Sequence, residues 1–199
     1  MKTTMFSLFV LFAFTSSAPA QIVQDSDGDD VRNGGQYYLL PNSYGYGGGI
    51  NTFPSYSQIC DYTLGQSSSS SDEGYAVTVA TPYNIGVIPS SLNVSFYFDG
   101  TIPGCSTSPT NWKIYSSGNG TDDTYTVTTS ENSNTVSGSF KIVNSGISTL
   151  MYKLHFCADK ANSCLHVGIS EDDTGNRLWT LTHGKPFLFV FRKVGAAAA

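Results

Sequence analysis

The apolar residues of this chain fall in short alternating or continuous runs broken by Gly, Asn, Ser and Asp, and nowhere sustain a period of three to four. A helix needs that longer period to bury one face, whereas a strand turns successive side chains to opposite faces. The pattern predicts an all-β chain without helices, with strands at residues 36–40, 75–79, 92–98, 112–115, 125–129, 139–143, 150–157, 166–169, 178–181 and 187–192. Leu92, Val94, Phe96 and Phe98 alternate with Asn93, Ser95 and Tyr97, which sets one face inward and points Asn93 outward.

At 199 residues the chain is long enough for one domain with a real core, and charged residues equal aromatics at 13%, which excludes a disordered polyelectrolyte. Lys and Arg number 10 against 15 Asp and Glu, so no nucleic-acid partner is expected. Residues 1–20 have the layout of a secretory signal: Lys2, an apolar stretch from Phe6 to Phe14, then small residues at Ala18 and Ala20. That stretch falls short of the ~20 residues a membrane-spanning helix needs, and no later segment is longer, so no membrane partner is expected. The domain is expected over residues 21–194, with a loose tail at 195–199 and a secreted or vacuolar destination. No oligomer signal is present, and a monomer is the expectation.

Cys60, Cys105, Cys157 and Cys164 would then meet oxidising conditions, and four cysteines allow three pairings, adjacent pairing being the economical one. Their spacings do not suit zinc, and no metal or cofactor is expected. Asn93 and Asn119 each open a glycosylation sequon. Residues 45–49 and 67–71, rich in Gly and Ser, read as flexible surface loops. A calcium loop opening at Asp25 needs Gly at its sixth position, where Asp30 stands, and Glu at its twelfth, where Gln36 stands, so residues 25–30 read as a solvated turn, as does the acidic run 171–173. There is no nucleophile elbow, zinc-binding His pair, Walker loop or dinucleotide fingerprint, and His155, His166 and His183 are expected to be isolated from one another. Tyr44, Tyr46 and Tyr56 are candidates for a ligand surface, though surface or core roles are commoner for Tyr. No internal repeat is legible, but three diverged β units would not show in residue identity.

The stretch from Val23 through Asp25, Asp27, Gly28, Arg32, Asn33 and Gly34 to Tyr37, Tyr38 and Leu39 resembles the opening signature of the plant Kunitz (soybean trypsin inhibitor type) family. Gly47 to Ile50, Cys60, Thr81 to Tyr83, Cys105, Trp112, Tyr152 to Cys157, Cys164 and Lys185 to Phe187 follow in the family's order. The resemblance implies a β-trefoil of twelve strands with pseudo-threefold symmetry, disulfides Cys60 to Cys105 and Cys157 to Cys164, and an inhibitor in place of an enzyme. It implies a reactive loop made of Thr81, Pro82, Tyr83, Asn84, Ile85, Gly86 and Val87, with Asn84 as primary specificity residue and Asn33 supporting the loop from behind. The partner so implied is an endopeptidase, serine type first and cysteine type second.

Pro82 fixes its own φ and biases Thr81 toward extended backbone, which suits such a loop, while Gly86 works against stiffness. On local sequence alone Asn33 reads equally well as an Asn-Gly turn residue. No Lys or Arg occurs between Arg32 and Lys113, so weak or no trypsin inhibition is expected in any register. The remaining readings are Tyr83 or Ile85 offered to a chymotrypsin-, elastase- or subtilisin-like pocket, Asn84 offered to an asparagine-preferring protease, another loop offered to a cysteine protease, or a non-inhibitory storage, defence or ligand-binding trefoil.

Overall fold

The computed structural model describes residues 21–42, 46–55, 61–98, 111–118 and 124–195. The strands fall into three successive groups: β1 (Gly35–Pro41), β2 (Ile50–Pro54), β3 (Tyr62–Gln66) and β4 (Val77–Ala80); β5 (Asn93–Tyr97), β6 (Lys113–Ser116), β7 (Tyr125–Thr128), β8 (Thr135–Val136) and β9 (Gly138–Asn144); and β10 (Tyr152–Ala158), β11 (Leu165–Glu171), β12 (Arg177–Thr182) and β13 (Phe189–Lys193). The groups begin at residues 35, 93 and 152, offsets of 58 and 59 residues.

The outer strands of each group close on one another. β1 pairs β4, β4 pairs β5, β5 pairs β9, β9 pairs β10, β10 pairs β13 and β13 returns to β1, all antiparallel. This six-stranded barrel leaves none of its strands with an open edge. The hairpins β2–β3, β6–β7 and β11–β12 form a cap in which β3, β7 and β12 each pair with the other two, at Thr63↔Thr128, Thr180↔Thr126 and Arg177↔Gln66. A closed barrel capped by a triangle of hairpins is the β-trefoil, and the three diverged units are these three groups. Among the described residues thirteen strands appear where twelve were expected, because one segment breaks at Ser137: β8 pairs β6, then β9 pairs β5 and β10.

Alternation built the barrel. Tyr37 and Leu39, Val94 and Phe96, Phe140 and Ile142, Leu154 and Phe156, and Phe189 and Phe191 all face inward and are buried. Trp112 stacks on Phe96 at 4.6 Å and meets Trp179 edge-on at 5.4 Å, linking barrel to cap. The N-terminal segment packs on this core through Val23 and Val31, both fully buried. Two buried phenols hold it: the Tyr152 hydroxyl accepts the Gln24 N–H and the Tyr37 hydroxyl accepts the Arg32 N–H, each at 2.9 Å. Burial pushes both phenols above their usual pKa.

Several local expectations change. The runs 50–54, 62–66 and 135–136 are strands that alternation does not reveal. Residues 47–49 are not a flexible surface loop; they are buried, with the Gly48 and Gly49 N–H groups donating to the Ser67 and Asp72 carbonyls. Ser67 is buried as well, while residues 68–71 are exposed. A Cβ on Gly49 would overlap the Glu73 carbonyl oxygen, so Gly49→Ala is expected to lower stability by about 2 kcal/mol or more, read as a fall in Tm. Asp25 is not solvated: it is buried and its Oδ1 accepts the Asp27 and Asp29 N–H groups, both at 3.0 Å. In the run 171–173, Asp172 organises its turn by accepting from Thr174 and Asn176, and those bonds, the Thr174 hydroxyl first, hold its carboxyl at about 2.

Cys157 and Cys164 form a disulfide across the β10–β11 hairpin. Cys60, Cys105, Asn119, Tyr44, Tyr56 and residues 1–20 and 196–199 lie outside the described residues. In the same hairpin His155 and His166, distant in sequence pattern, meet at 2.9 Å between Nε2 and Nδ1. Burial first, then His166, Lys153 and Lys141, push His155 down to about 4; burial, Lys153 and His183 also lower His166. A histidine depressed in the folded state favours unfolding when it is protonated. The stability it supports is present above its unfolded pKa of ~6.5 and lost as pH falls from there to about 4. After allowance for solvent screening the loss is about 1–2 kcal/mol. Chemical denaturation at pH 7.5 and pH 4, compared with His155→Gln, checks it: the variant is expected to lose much of that pH dependence.

Candidate functional site

The β4–β5 connection carries the site. Thr81 is buried, its hydroxyl donating to the Asn93 carbonyl at 3.0 Å, and residues 82–86 are exposed. Asn93 itself is half-buried on β5 opposite Lys141, so it is less outward than alternation suggested. At the far end of the loop Val87 bridges Arg32, and Ile88, fully buried, donates to the Val31 carbonyl at 2.9 Å. Both ends of the loop are therefore core-anchored while its middle stands in solvent.

The N-terminal segment supplies the brace. Gly34 has φ +79°, and the Gly35 N–H donates to the Arg32 carbonyl at 3.0 Å, so Asn33 and Gly34 are the centre of a tight turn. The turn aims the Asn33 side chain under the loop. Its Oδ1 accepts the Thr81 N–H at 3.0 Å; its Nδ2 donates to the Ile85 carbonyl at 2.9 Å and, more weakly, to the Tyr83 carbonyl at 3.4 Å. The Asn33 backbone N–H also donates to the Gly86 carbonyl at 3.1 Å. Both donors and the acceptor of one amide are thus spent on the loop. The turn-residue reading and the bracing reading of Asn33 describe one arrangement.

Within the loop the Ile85 N–H donates to the Tyr83 carbonyl at 2.8 Å, a three-residue turn with Asn84 at its centre. Tyr83 and Ile85 flank it at 47% and 36% exposure, two apolar surfaces beside one polar apex. Gly86 lies outside the left-handed region, and a Cβ there would meet open space, so this glycine does not impose a strained backbone. Two contributors escaped the sequence reading: the Thr81 hydroxyl as an anchor and the Tyr37 hydroxyl, which fixes Arg32 beside the brace. Neither has a local signal, because each acts across the fold. Among the described residues no three His, Cys, Asp or Glu side chains converge to hold a metal ion.

The fold is thus a closed trefoil that displays a polar-tipped loop tied from behind by a single amide. The legume Kunitz family model, described as trypsin and protease inhibitor, matches residues 23–193. A Kunitz-type trypsin inhibitor of Glycine max is 35% identical over the full length of both chains, and a trypsin inhibitor of Leucaena leucocephala is 30% identical over 87% of this chain and 96% of its own. The crystal structure of soybean trypsin inhibitor complexed with 1,5-disulfonyl naphthalene is similar with a TM-score of 0.77 and 30% identity, covering 87% of this chain and 99% of that one. Soybean trypsin inhibitor in complex with porcine pancreatic trypsin gives 0.76 and 29%, with the same coverage. The chain belongs to the plant Kunitz (soybean trypsin inhibitor) family, a family of protease inhibitors and not of enzymes.

Proposed function

We propose that residues 81–87 are the reactive loop of a protease inhibitor, presented to an endopeptidase other than trypsin, serine type first and cysteine type second, with Asn84–Ile85 as the bond offered. The observation that carries this reading is the three-bond grip of Asn33 on the loop. A loop already held in its docking shape loses little entropy on binding, which is the main cost of presenting a flexible peptide. The grip also supports the register. The Tyr83 and Ile85 carbonyls are turned back toward Asn33, whereas an attacked carbonyl must point out into an oxyanion hole.

The grip explains why offering a peptide inhibits. The nucleophile adds to the Asn84 carbonyl, and the Ile85 nitrogen takes a proton and leaves as an amine. Asn33 holds both new ends, through Tyr83 on one side and through Ile85 and Gly86 on the other, so the amine can attack back and re-form the peptide. Asn84 has no charge for the carboxylate of a tryptic pocket. The same reading takes residues 1–20 as a secretory signal toward a secreted or vacuolar destination, and the Cys157–Cys164 disulfide supports an oxidising compartment. Titration of the mature protein against trypsin, chymotrypsin, elastase, subtilisin, a papain-like protease and an asparagine-specific endopeptidase tests the proposal. Stoichiometric inhibition without trypsin among the targets is expected, and rapid cutting within 81–87 with no inhibition of any enzyme contradicts it.

A further inference from the structure

The geometry points to a target whose primary pocket reads a side-chain amide: an endopeptidase that cleaves on the carboxyl side of asparagine. This inference rests on residues 81–87 being the reactive loop. Shifted registers are disfavoured by the brace, since adopting Tyr83 or Ile85 as the specificity residue means pulling its carbonyl off Asn33 Nδ2. That leaves Asn84, exposed at the centre of the turn, and among the described residues no hydrogen bond holds its side chain. Its two donors and one acceptor are therefore all available to a partner.

That chemistry discriminates between pockets. An apolar pocket of the chymotrypsin or elastase kind would leave the amide unpaired, at a cost of about one to two orders of magnitude in affinity. An acid-based tryptic pocket finds no cation. A pocket with its own donor and acceptor pairs the amide fully, and sites built to hydrogen-bond a polar group reject substitutes lacking it by up to ~10⁴-fold or more. Tyr83 and Ile85, exposed on either side, supply apolar contacts to the neighbouring subsites. Serine and cysteine nucleophiles attack the same carbonyl, so the selectivity lies in the pocket and not in the nucleophile.

The test is inhibition by the intact mature protein of an asparagine-specific cysteine endopeptidase, alongside chymotrypsin and elastase, with Asn84→Asp, Asn84→Leu and Asn84→Arg as variants. Stoichiometric inhibition of the asparagine-specific enzyme is expected, at least 100-fold tighter than of the other two. It should weaken at least 100-fold in Asn84→Leu, and equally in Asn84→Asp when assayed above the carboxyl pKa. No inhibition by the native sequence, or equal inhibition by Asn84→Leu, overturns the inference. Trypsin assayed with Asn84→Arg separates the two levels. If that variant inhibits trypsin while the native sequence ignores the asparagine-specific enzyme, the target assignment fails alone; if both are inactive, the loop assignment fails with it.

Discussion

Asn84→Arg is expected to make this protein a trypsin inhibitor. On the proposed reading the missing part is a charge: the loop is anchored at Thr81 and Val87, its backbone is tied to Asn33, and residue 84 stands exposed at the centre of the turn. No Lys or Arg occurs between Arg32 and Lys113, so the native chain has no cation to slide into a tryptic pocket. A guanidinium paired with a buried carboxylate in a close interface is worth about 4 kcal/mol or more, so affinity should rise ~10³-fold or beyond. Trypsin titration reads the gain directly. Rapid hydrolysis of the variant at residue 84 without inhibition would mean that the loop is exposed but not rigid.

Asn33→Ala carries the second large effect. It removes three side-chain hydrogen bonds while leaving the turn, whose position tolerates Ala. Hydrogen bonds this exposed contribute at the low end of the ~0.5–1.5 kcal/mol range, so global stability should fall by only about 1–2 kcal/mol. Function should fall much further, because the loop must then be ordered on docking and the cut ends are no longer held: a ~10–100-fold loss of inhibition with faster cleavage inside 81–87. Asn33→Asp is the sharper variant. It keeps the acceptor for Thr81 but sets a carboxylate against the Tyr83 and Ile85 carbonyls, so it should disturb inhibition at least as much as Ala.

The barrel was legible because its strands alternate: each inward pair such as Val94 and Phe96, or Phe189 and Phe191, is separated by one outward residue. The cap was less so. β3 carries Gly65 where a side chain would be expected, since the Phe53 ring and the Arg177 carbonyl fill that space, and β2 ends in Pro54. A strand whose face is filled by its neighbours shows no local period. Closure into a trefoil depends on pairings such as Gln66 with Arg177, 111 residues apart, which no window of sequence contains. The family resemblance supplied that architecture where periodicity could not. The candidate site divides in the same way: the segment 81–87 and Asn33 stand out as residues, but the 3.0 Å bond that joins them spans 48 positions. Residues 47–49 misled because glycine marks close packing as well as flexibility, and only the neighbouring carbonyls of Ser69, Asp72 and Glu73 tell the two apart.

If Asn33 holds the two sides of residue 84 so that a cut peptide bond re-forms, one equilibrium should be reached from both sides. Intact Asn84→Arg protein, and the same protein cleaved after residue 84, are each incubated with a catalytic amount of trypsin and followed by mass spectrometry. Both preparations are expected to converge on one mixture of intact and cleaved chains, with cleavage confined to residue 84. Complete, irreversible cleavage from the intact side, with no resynthesis from the cleaved side, would contradict it.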